Sequence, residues 1–467
     1  MAEKVVKVRW GSKKIEVTID LSGKGIELKN KLKELTGVPV ERQIITGVGK
    51  GILSDDVELG LVKIKKKVKM VGSADVVAEN ASKEIIFAED LVDDENDIGM
   101  TDYPSGLVNL MNSCYISAGI QALRTVKPLK EALKKYKGST MSSNRDEKLT
   151  ASLRDLFKQF ETSNGHPITP AQFVQSVRSS FPEFATTDQT PVGNVYQQQD
   201  ADEFMAKLKQ SLNNELRKVD NSVADVFQGT YNVTLQNNEV EGEVKETKEQ
   251  FYALKCFIKK EIRHLEQGID HGLKGTMERH SEKLGRNAIW SKQSKIAALP
   301  EYLMVNFVRF EWKENDKSYC KILKPVRYNM QLDIADLCTD ELKGRIQQYR
   351  KEQLDAENKR IEARRKAMST DKMVDDVVDE SADKMDTSED RDNETGMYEL
   401  VGIVSHKGRS VNSGHYVGWT KQENGVWMMF DDDNVRESTE KEIKDLCGGG
   451  DNHIALVSIY RKIPPKD

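Results

Sequence analysis

Cys114 lies in the string Gly106-Leu107-Val108-Asn109-Leu110-Met111-Asn112-Ser113-Cys114-Tyr115. Far downstream the chain reads Ser413-Gly414-His415-Tyr416, and then Phe430-Asp431-Asp432-Asp433. A thiol attacks well only as thiolate, so it needs an imidazole to take its proton and a third group to orient that ring. A cysteine, then a histidine, then an acid supply those three roles in one chain. The run Tyr115–Leu123 after Cys114 has helical character. A thiolate at a helix N-terminus is stabilised by unpaired backbone N–H groups and the helix dipole. Two histidines compete for the base, His406 ending one strand-like run and His415 opening the next.

The elements around these residues suggest how they could meet. Val417-Gly418-Trp419 and Trp427-Met428-Met429-Phe430 read as a hairpin around Glu423-Asn424-Gly425, so an acid leaving the second strand lies beside a histidine opening the first. Upstream, Val6–Trp10 and Ile15–Ile19 alternate like a hairpin, Leu28, Leu32 and Leu35 fall on one helical face that Gly37 ends, and short strands follow at Gln43–Ile45 and Val68–Val71. Residues 76–102 form an acidic linker. Residues 339–366 suggest a solvent-facing helix with a thin apolar stripe of Leu342, Ile346, Leu354 and Ile361. Residues 367–396 are too acidic and too poor in aromatics to pack, so disorder is expected there.

Composition narrows the class. A chain of 467 residues is long enough for several domains, and a net charge of -5 gives no footprint for nucleic acid. Five cysteines (Cys114, Cys256, Cys320, Cys338, Cys447) stand far apart without a C-x-x-C pair, which argues against disulfides and against a structural metal site. No cofactor is called for. No apolar run reaches the ~20 residues of a membrane span, and the first residues lack a signal core. A reducing compartment, cytoplasmic or nuclear, is expected.

The string around Cys114 resembles the cysteine box of the ubiquitin-specific proteases, through Gly106-Leu107, Asn109, Asn112, Cys114-Tyr115 and Gln121. Gly414-His415-Tyr416 is similar to that family's histidine box, and Gln198-Gln199-Asp200-Ala201-Asp202-Glu203-Phe204 to its Q-Q-D-A-x-E-F. The resemblance implies an α+β fold: a papain-like protease domain of fingers, palm and thumb over residues 103–463. It assigns Cys114 as nucleophile, His415 rather than His406 as base, Asp431 as the orienting acid with Asp432 as fallback, and Asn109 as oxyanion donor. Gln199, Asp200 and Glu203 would bind the ubiquitin tail. Three positions depart from the pattern: Met111 stands for glycine, Ser113 for threonine and Ser117 for asparagine. If residue 111 needs a positive φ, a Cβ there costs roughly 1–2 kcal/mol.

Residues 4–75 resemble ubiquitin in their β-β-α-β-β order, best through Leu35–Pro39 and Arg42–Ile44, which implies a β-grasp module. The segment ends Val71-Gly72-Ser73-Ala74 without a Gly-Gly terminus, so a permanent docking module is expected. That layout is similar to the proteasome-associated members of the family. It implies ubiquitin conjugates as substrate, docking on the proteasome regulatory particle, and loops at Lys313–Lys321 and Gly408–Ser413 covering the tail cleft. The competing expectations are a weak or inactive ubiquitin-binding regulator of the proteasome, with Met111 as the damaged element, and a protease of ordinary peptides.

Overall fold

The computed structural model describes residues 3–10, 13–36, 38, 40, 43–48, 53–62, 64–71, 103–190, 193–220, 225–313, 318–369, 395–410, 413–450 and 452–464. The chain divides into two compact units, Met1–Ile98 and Gly99–Asp467. The expected linker 76–102 lies outside the described residues, as do Gly37 and the Gly72-Ser73-Ala74 end of the first unit.

In the first unit, β1 (Glu3–Trp10), β2 (Lys13–Asp20), β3 (Ile44–Val48) and β4 (Ile64–Val71) form one sheet in the order β2-β1-β4-β3, with β1 and β4 parallel. Helix α1 (Gly25–Thr36) lays Leu28 and Leu32 into a core with Val6, Val8, Val17, Ile19, Ile45 and Val68. Each such leucine contributes about 1.5–3 kcal/mol of burial. Leu35 is a correction to the expected helical face: it is 57% exposed, because the buried stripe runs through Leu28 and Leu32 and turns away before it. Gln43 is buried, and its Nε2 donates to the carbonyls of Lys29 and Val38 at 2.9 and 2.8 Å.

The second unit sets a helical layer against a long sheet. Its helices are α2 (Cys114–Leu123), α3 (Lys127–Lys135), α4 (Arg145–Thr162), α5 (Ala171–Ser180) and α6 (Ala201–Leu216), with a hairpin of β5 (Thr187–Thr190) and β6 (Gly193–Tyr196) before α6. The eight-stranded sheet contains β9 (Leu254–Phe257), β12 (Tyr302–Val308), β15 (Gln331–Asp333), β16 (Met397–Ser410), β17 (Ser413–Lys421), β18 (Trp427–Asp431), β19 (Asn434–Ser438) and β20 (Ile454–Lys462). Seven of its strands run β19-β18-β17-β16-β20-β12-β9, and β15 pairs β16. Between the two layers lies α2, every residue of it buried, which explains why its sequence carries no charged residue. A separate antiparallel sheet, β10-β11-β7-β8, is built from β7 (Gly229–Asn237), β8 (Val244–Phe251), β10 (Lys274–Ser281) and β11 (Arg286–Ala298).

The hairpin expected around Glu423–Gly425 forms in register, with Gly418 opposite Phe430 and Lys421 opposite Trp427. Arg309 is buried and donates to the carbonyls of Ala455, Ile322, Lys324 and Cys447 at 2.9–3.1 Å, tying the sheet to the loops beside it. A helix, α8 (Asp340–Ser369, after α7 at Leu265–Gly272), carries the expected stripe only in its first turns. Leu342 and Ile346 are buried there, whereas Leu354 and Ile361 are exposed. This helix extends three residues into the segment expected to be disordered, and 370–394 lie outside the described residues. Strands β13 (Phe310–Lys313) and β14 (Ser318–Lys321) pair as a hairpin, and Ser410 pairs with Ser413 where β16 turns into β17. The tips of both expected covering loops, 314–317 and 411–412, lie outside the described residues. No described helix is long and apolar enough to cross a membrane, and all five cysteines are free thiols.

Candidate active site

Cys114 is the first residue of α2 and is buried. The residue before it, Ser113, does not cap the helix with its side chain. Its hydroxyl instead accepts the Leu110 N–H at 2.7 Å, and the positive end of the helix dipole favours negative charge on the sulfur or its adduct. Tyr115 anchors the helix, its ring 5.9 Å from Phe184 and 5.8 Å from Phe204 in tilted and edge-on contacts.

His415 lies near the start of β17, and Asp431 ends β18. Imidazole Nε2 is hydrogen-bonded to Asp431 Oδ1, and the Cys114 thiol is the second group bonded to the ring. With Nε2 committed to the acid, Nδ1 is the nitrogen left for the sulfur. The Asp431 bond and then the Cys114 bond push the His415 pKa from 6.5 up to about 10, against burial, which lowers it. Asp431 is held below its ordinary 3.8, chiefly by the bond to His415. The other contender, His406, is fully buried beside Tyr416 and Phe310, and Lys321 Nζ sits 3.1 Å from its Nδ1. Burial first and Lys321 second drive His406 down to about 3, so it is a neutral packing group.

These shifts give a pH signature. A histidine whose folded pKa is raised stabilises the fold fully below 6.5 and loses that contribution as pH climbs to about 10. The depressed Asp431 contributes above 3.8 and loses its contribution as pH falls below that value. The melting-temperature gap between wild type and Asp431→Asn should therefore be widest near pH 6 and close toward pH 10. A gap independent of pH would show that the pair is not coupled as drawn.

Asn109 stands exposed at the rim. Its Oδ1 accepts the Ser113 N–H at 3.1 Å, and its Nδ2 donates to Asp432 Oδ2 at 2.9 Å. An amide nitrogen carries two protons, so one is used for orientation and the other remains for an oxyanion. Asp432 is thus a partner of Asn109 more than an alternative to Asp431. It occupies the two-residue turn between β18 and β19 with φ 53°, its Oδ2 lies 3.9 Å from His415 Nε2, and burial raises its pKa.

Of the expected tail-binding residues, Asp200 caps α6, its Oδ1 accepting the Asp202 N–H at 2.7 Å, and burial pushes it up to about 6. Gln199 donates to Thr186 Oγ1 at 2.8 Å. Glu203 is about half exposed and 3.7 Å from Lys207. The structure thus assigns Asp200 a capping task, and Gln199 and Glu203 local partners, on the segment that also carries Gln198 beside Cys114. Three participants were not singled out by sequence. Gln198 is buried and directs Nε2 at the Cys114 sulfur, 3.8 Å away. His453 sits 6.4 Å from the His415 ring and is held down to about 4, chiefly by burial. Arg178 donates to the Leu110 carbonyl in the loop before Cys114. Gln198 belonged to a motif already in view; the other two carry no local signal.

Met111 has φ 54° and Asn112 φ 56°. The position where the protease pattern has glycine therefore does require a left-handed backbone. The methionine carries the associated strain, about 1–2 kcal/mol. Among the described residues, only His415, Asp431 and Asp432 bring three possible metal-ligand atoms within 4.8 Å of one another, and the thiol beside them gives the first two another task.

The family model described as Ubiquitin carboxyl-terminal hydrolase matches residues 105–460, and that described as Ubiquitin family matches residues 5–74. Ubiquitin carboxyl-terminal hydrolase 6 of Arabidopsis thaliana is 36% identical, with 98% of each chain covered. The Schizosaccharomyces pombe protein of the same name is 33% identical, again with 98% of each covered. A solved structure, the SAGA Ubp8/Sgf11/Sus1/Sgf73 DUB module bound to ubiquitin aldehyde, is similar in fold at a TM-score of 0.52 and 19% identity, over 78% of this chain and 70% of that one.

Proposed function

The chain belongs to the ubiquitin carboxyl-terminal hydrolase family, with a ubiquitin-like domain ahead of the protease domain, and from that premise we propose that it is a proteasome-associated deubiquitinase working through Cys114. The observation that carries this reading is the meeting of Cys114, His415 and Asp431 from α2, β17 and β18.

In the proposed reaction His415 takes the thiol proton, and the thiolate attacks the carbonyl of the C-terminal glycine of conjugated ubiquitin. The free Nδ2 proton of Asn109 and the first N–H groups of α2 receive the oxyanion. Collapse of the tetrahedral adduct leaves an acyl-enzyme on Cys114, while His415 passes its proton to the leaving lysine amine. Water, deprotonated by the same imidazole, then releases ubiquitin. Asp431 keeps the ring oriented and favours its protonated form. Gln199, Asp200 and Glu203 would receive the tail, and the ubiquitin-like domain would dock on the proteasome regulatory particle, placing the enzyme in cytoplasm and nucleus. Support for docking comes from the ubiquitin-family match at 5–74 and the absence of a Gly-Gly end.

The left-handed Met111 favours one second reading, a weak enzyme that acts mainly as a ubiquitin-binding regulator. A ubiquitin C-terminal electrophile separates the two. Covalent capture by wild type and none by Cys114→Ala supports the enzyme. Absence of capture by wild type, even with proteasome present, would leave the regulator.

A further inference from the structure

We infer that Arg178 is a positioning residue that holds the left-handed turn at Leu110–Asn112 in the shape the nucleophile loop needs. This rests on the reading of Cys114 as nucleophile and Asn109 as oxyanion donor. Arg178 stands on α5, and its Nη2 donates to the carbonyls of Leu110 at 2.8 Å and Met111 at 3.0 Å. The guanidinium carbon lies 3.6 Å from the centroid of the Tyr196 ring. Tyr196 is tied to the same turn, because its carbonyl accepts Asn112 Nδ2 at 2.8 Å. Arginine, aromatic platform and turn therefore close a circuit of three elements.

The turn needs external support because consecutive non-glycine residues, Met111 and Asn112, are both left-handed. Methionine contributes little to holding itself there, since its side chain is 60% exposed. A left-handed turn also rotates its carbonyls out of any helical ladder. Charge-assisted donation from a planar guanidinium to two adjacent carbonyls satisfies both at once. Arg178 makes no ion pair among the described residues, so its charge is met by those carbonyls and the Tyr196 face. Burial lowers its pKa, in keeping with a cation kept without a carboxylate.

The turn sets the site on both sides. Leu110 N–H bonds Ser113 Oγ, and Asn109 Oδ1 bonds Ser113 N–H, so rotation at 110–112 swings the Asn109 amide and the first residue of α2. Strand β6, which carries Tyr196, leads into Gln198 beside the Cys114 sulfur. The clamp thereby connects the nucleophile loop to the segment expected to hold the ubiquitin tail.

The test is a double-mutant cycle between Arg178→Gln and Met111→Gly, read on a fluorogenic ubiquitin substrate and by amide hydrogen exchange. Arg178→Gln should lower kcat about 10- to 100-fold with KM nearly unchanged, as expected for reacting groups displaced by about an ångström. Met111→Gly accepts the left-handed backbone without strain, so the same Arg178→Gln change there should cost less than about a third as much. Exchange of amides 109–114 should quicken in the single variant. Equal losses in both backgrounds, or a loss confined to KM, would overturn the clamp. If Arg178→Gln fails to fold, Arg178→Lys carries the test: it keeps the charge and a donor nitrogen but loses the planar group that lies over the Tyr196 ring, and should show a smaller loss with the same rescue. Should wild type prove uncaptured by ubiquitin electrophile, the deubiquitinase reading fails, and unchanged exchange at 109–114 is the separate result that would sink the clamp.

Discussion

Gly414→Ala is expected to reduce turnover of a ubiquitin substrate at least about a hundredfold while the protein still folds. Gly414 immediately precedes the proposed base His415 and has φ +141°, a region closed to side chains. A Cβ there would run into the carbonyl oxygen of Lys407 and come within 2.5 Å of His406 Nε2. Neither neighbour can yield. Lys407 pairs with His415 across the β16–β17 ladder, and the His406 ring is fixed by Lys321 and by Tyr416, 4.6 Å away. The only relief is to part the two strands at the step that aims the imidazole. A shift of about an ångström in a catalytic group costs on the order of 10²-fold, and overpacking costs about 1–3 kcal/mol of stability. Gly425→Ala is the matched control. Gly425 also has a positive φ, +85°, but a Cβ there meets nothing within 4 Å. It should lose only the strain of the turn, about 1–2 kcal/mol, with activity unchanged. Thermal unfolding beside kcat/KM checks both, and equal behaviour of the two variants would refute the strand-parting argument.

Gly106→Ala should produce a comparable loss by moving the acids instead of the base. An added Cβ would sit 2.6 Å from the Asp432 carbonyl oxygen and 2.7 Å from that of Asp433. Gly106 is held from the opposite side by Ile168, whose N–H bonds its carbonyl, and its neighbour Leu107 donates to the Asp432 carbonyl at 2.9 Å. The turn carrying Asp431 to Asp433 would therefore have to withdraw from the nucleophile loop. Withdrawal lengthens the Asn109–Asp432 bond and turns the carboxylate of Asp431 on His415 together. Electrophile capture by Gly106→Ala should slow by about two orders of magnitude, with a fall in melting temperature from the strained contact. Wild-type capture rates would show that the turn adapts without disturbing either acid.

Legibility of the site followed the distance over which each decision is made. The proposed nucleophile was readable because its signal is local: a cysteine opening an apolar helix, with Gly106, Asn109 and Gln121 at set intervals. The Asp431 position was readable because one hairpin, with Gly418 opposite Phe430, carries histidine and acid on adjacent strands. Leu28 and Leu32 were found by helical period. Leu35 was misplaced, because period alone does not say how wide a buried stripe is. Asp200 matched a motif, but motif spacing does not reveal that its carboxylate caps α6.

By itself, then, the amino-acid order determined which residues are equipped for thiol chemistry, the order of elements in the first unit and around Cys114 and His415, and the division into a small β-grasp-like unit and a larger hydrolase unit. Tertiary structure alone decided how those residues are used. It buried His406 beside a lysine and left His415 beside an acid and a thiol. It joined Asn109 to Asp432 across 323 positions of chain, and it brought Arg178 and Tyr196 against the left-handed turn at Met111 and Asn112, two partners that no local pattern announces. The physical reason is that spacing along one helix or strand is set by backbone geometry, which a sequence carries openly. Contacts between elements depend on how a sheet edge packs against α2, and that is settled only when the whole core closes.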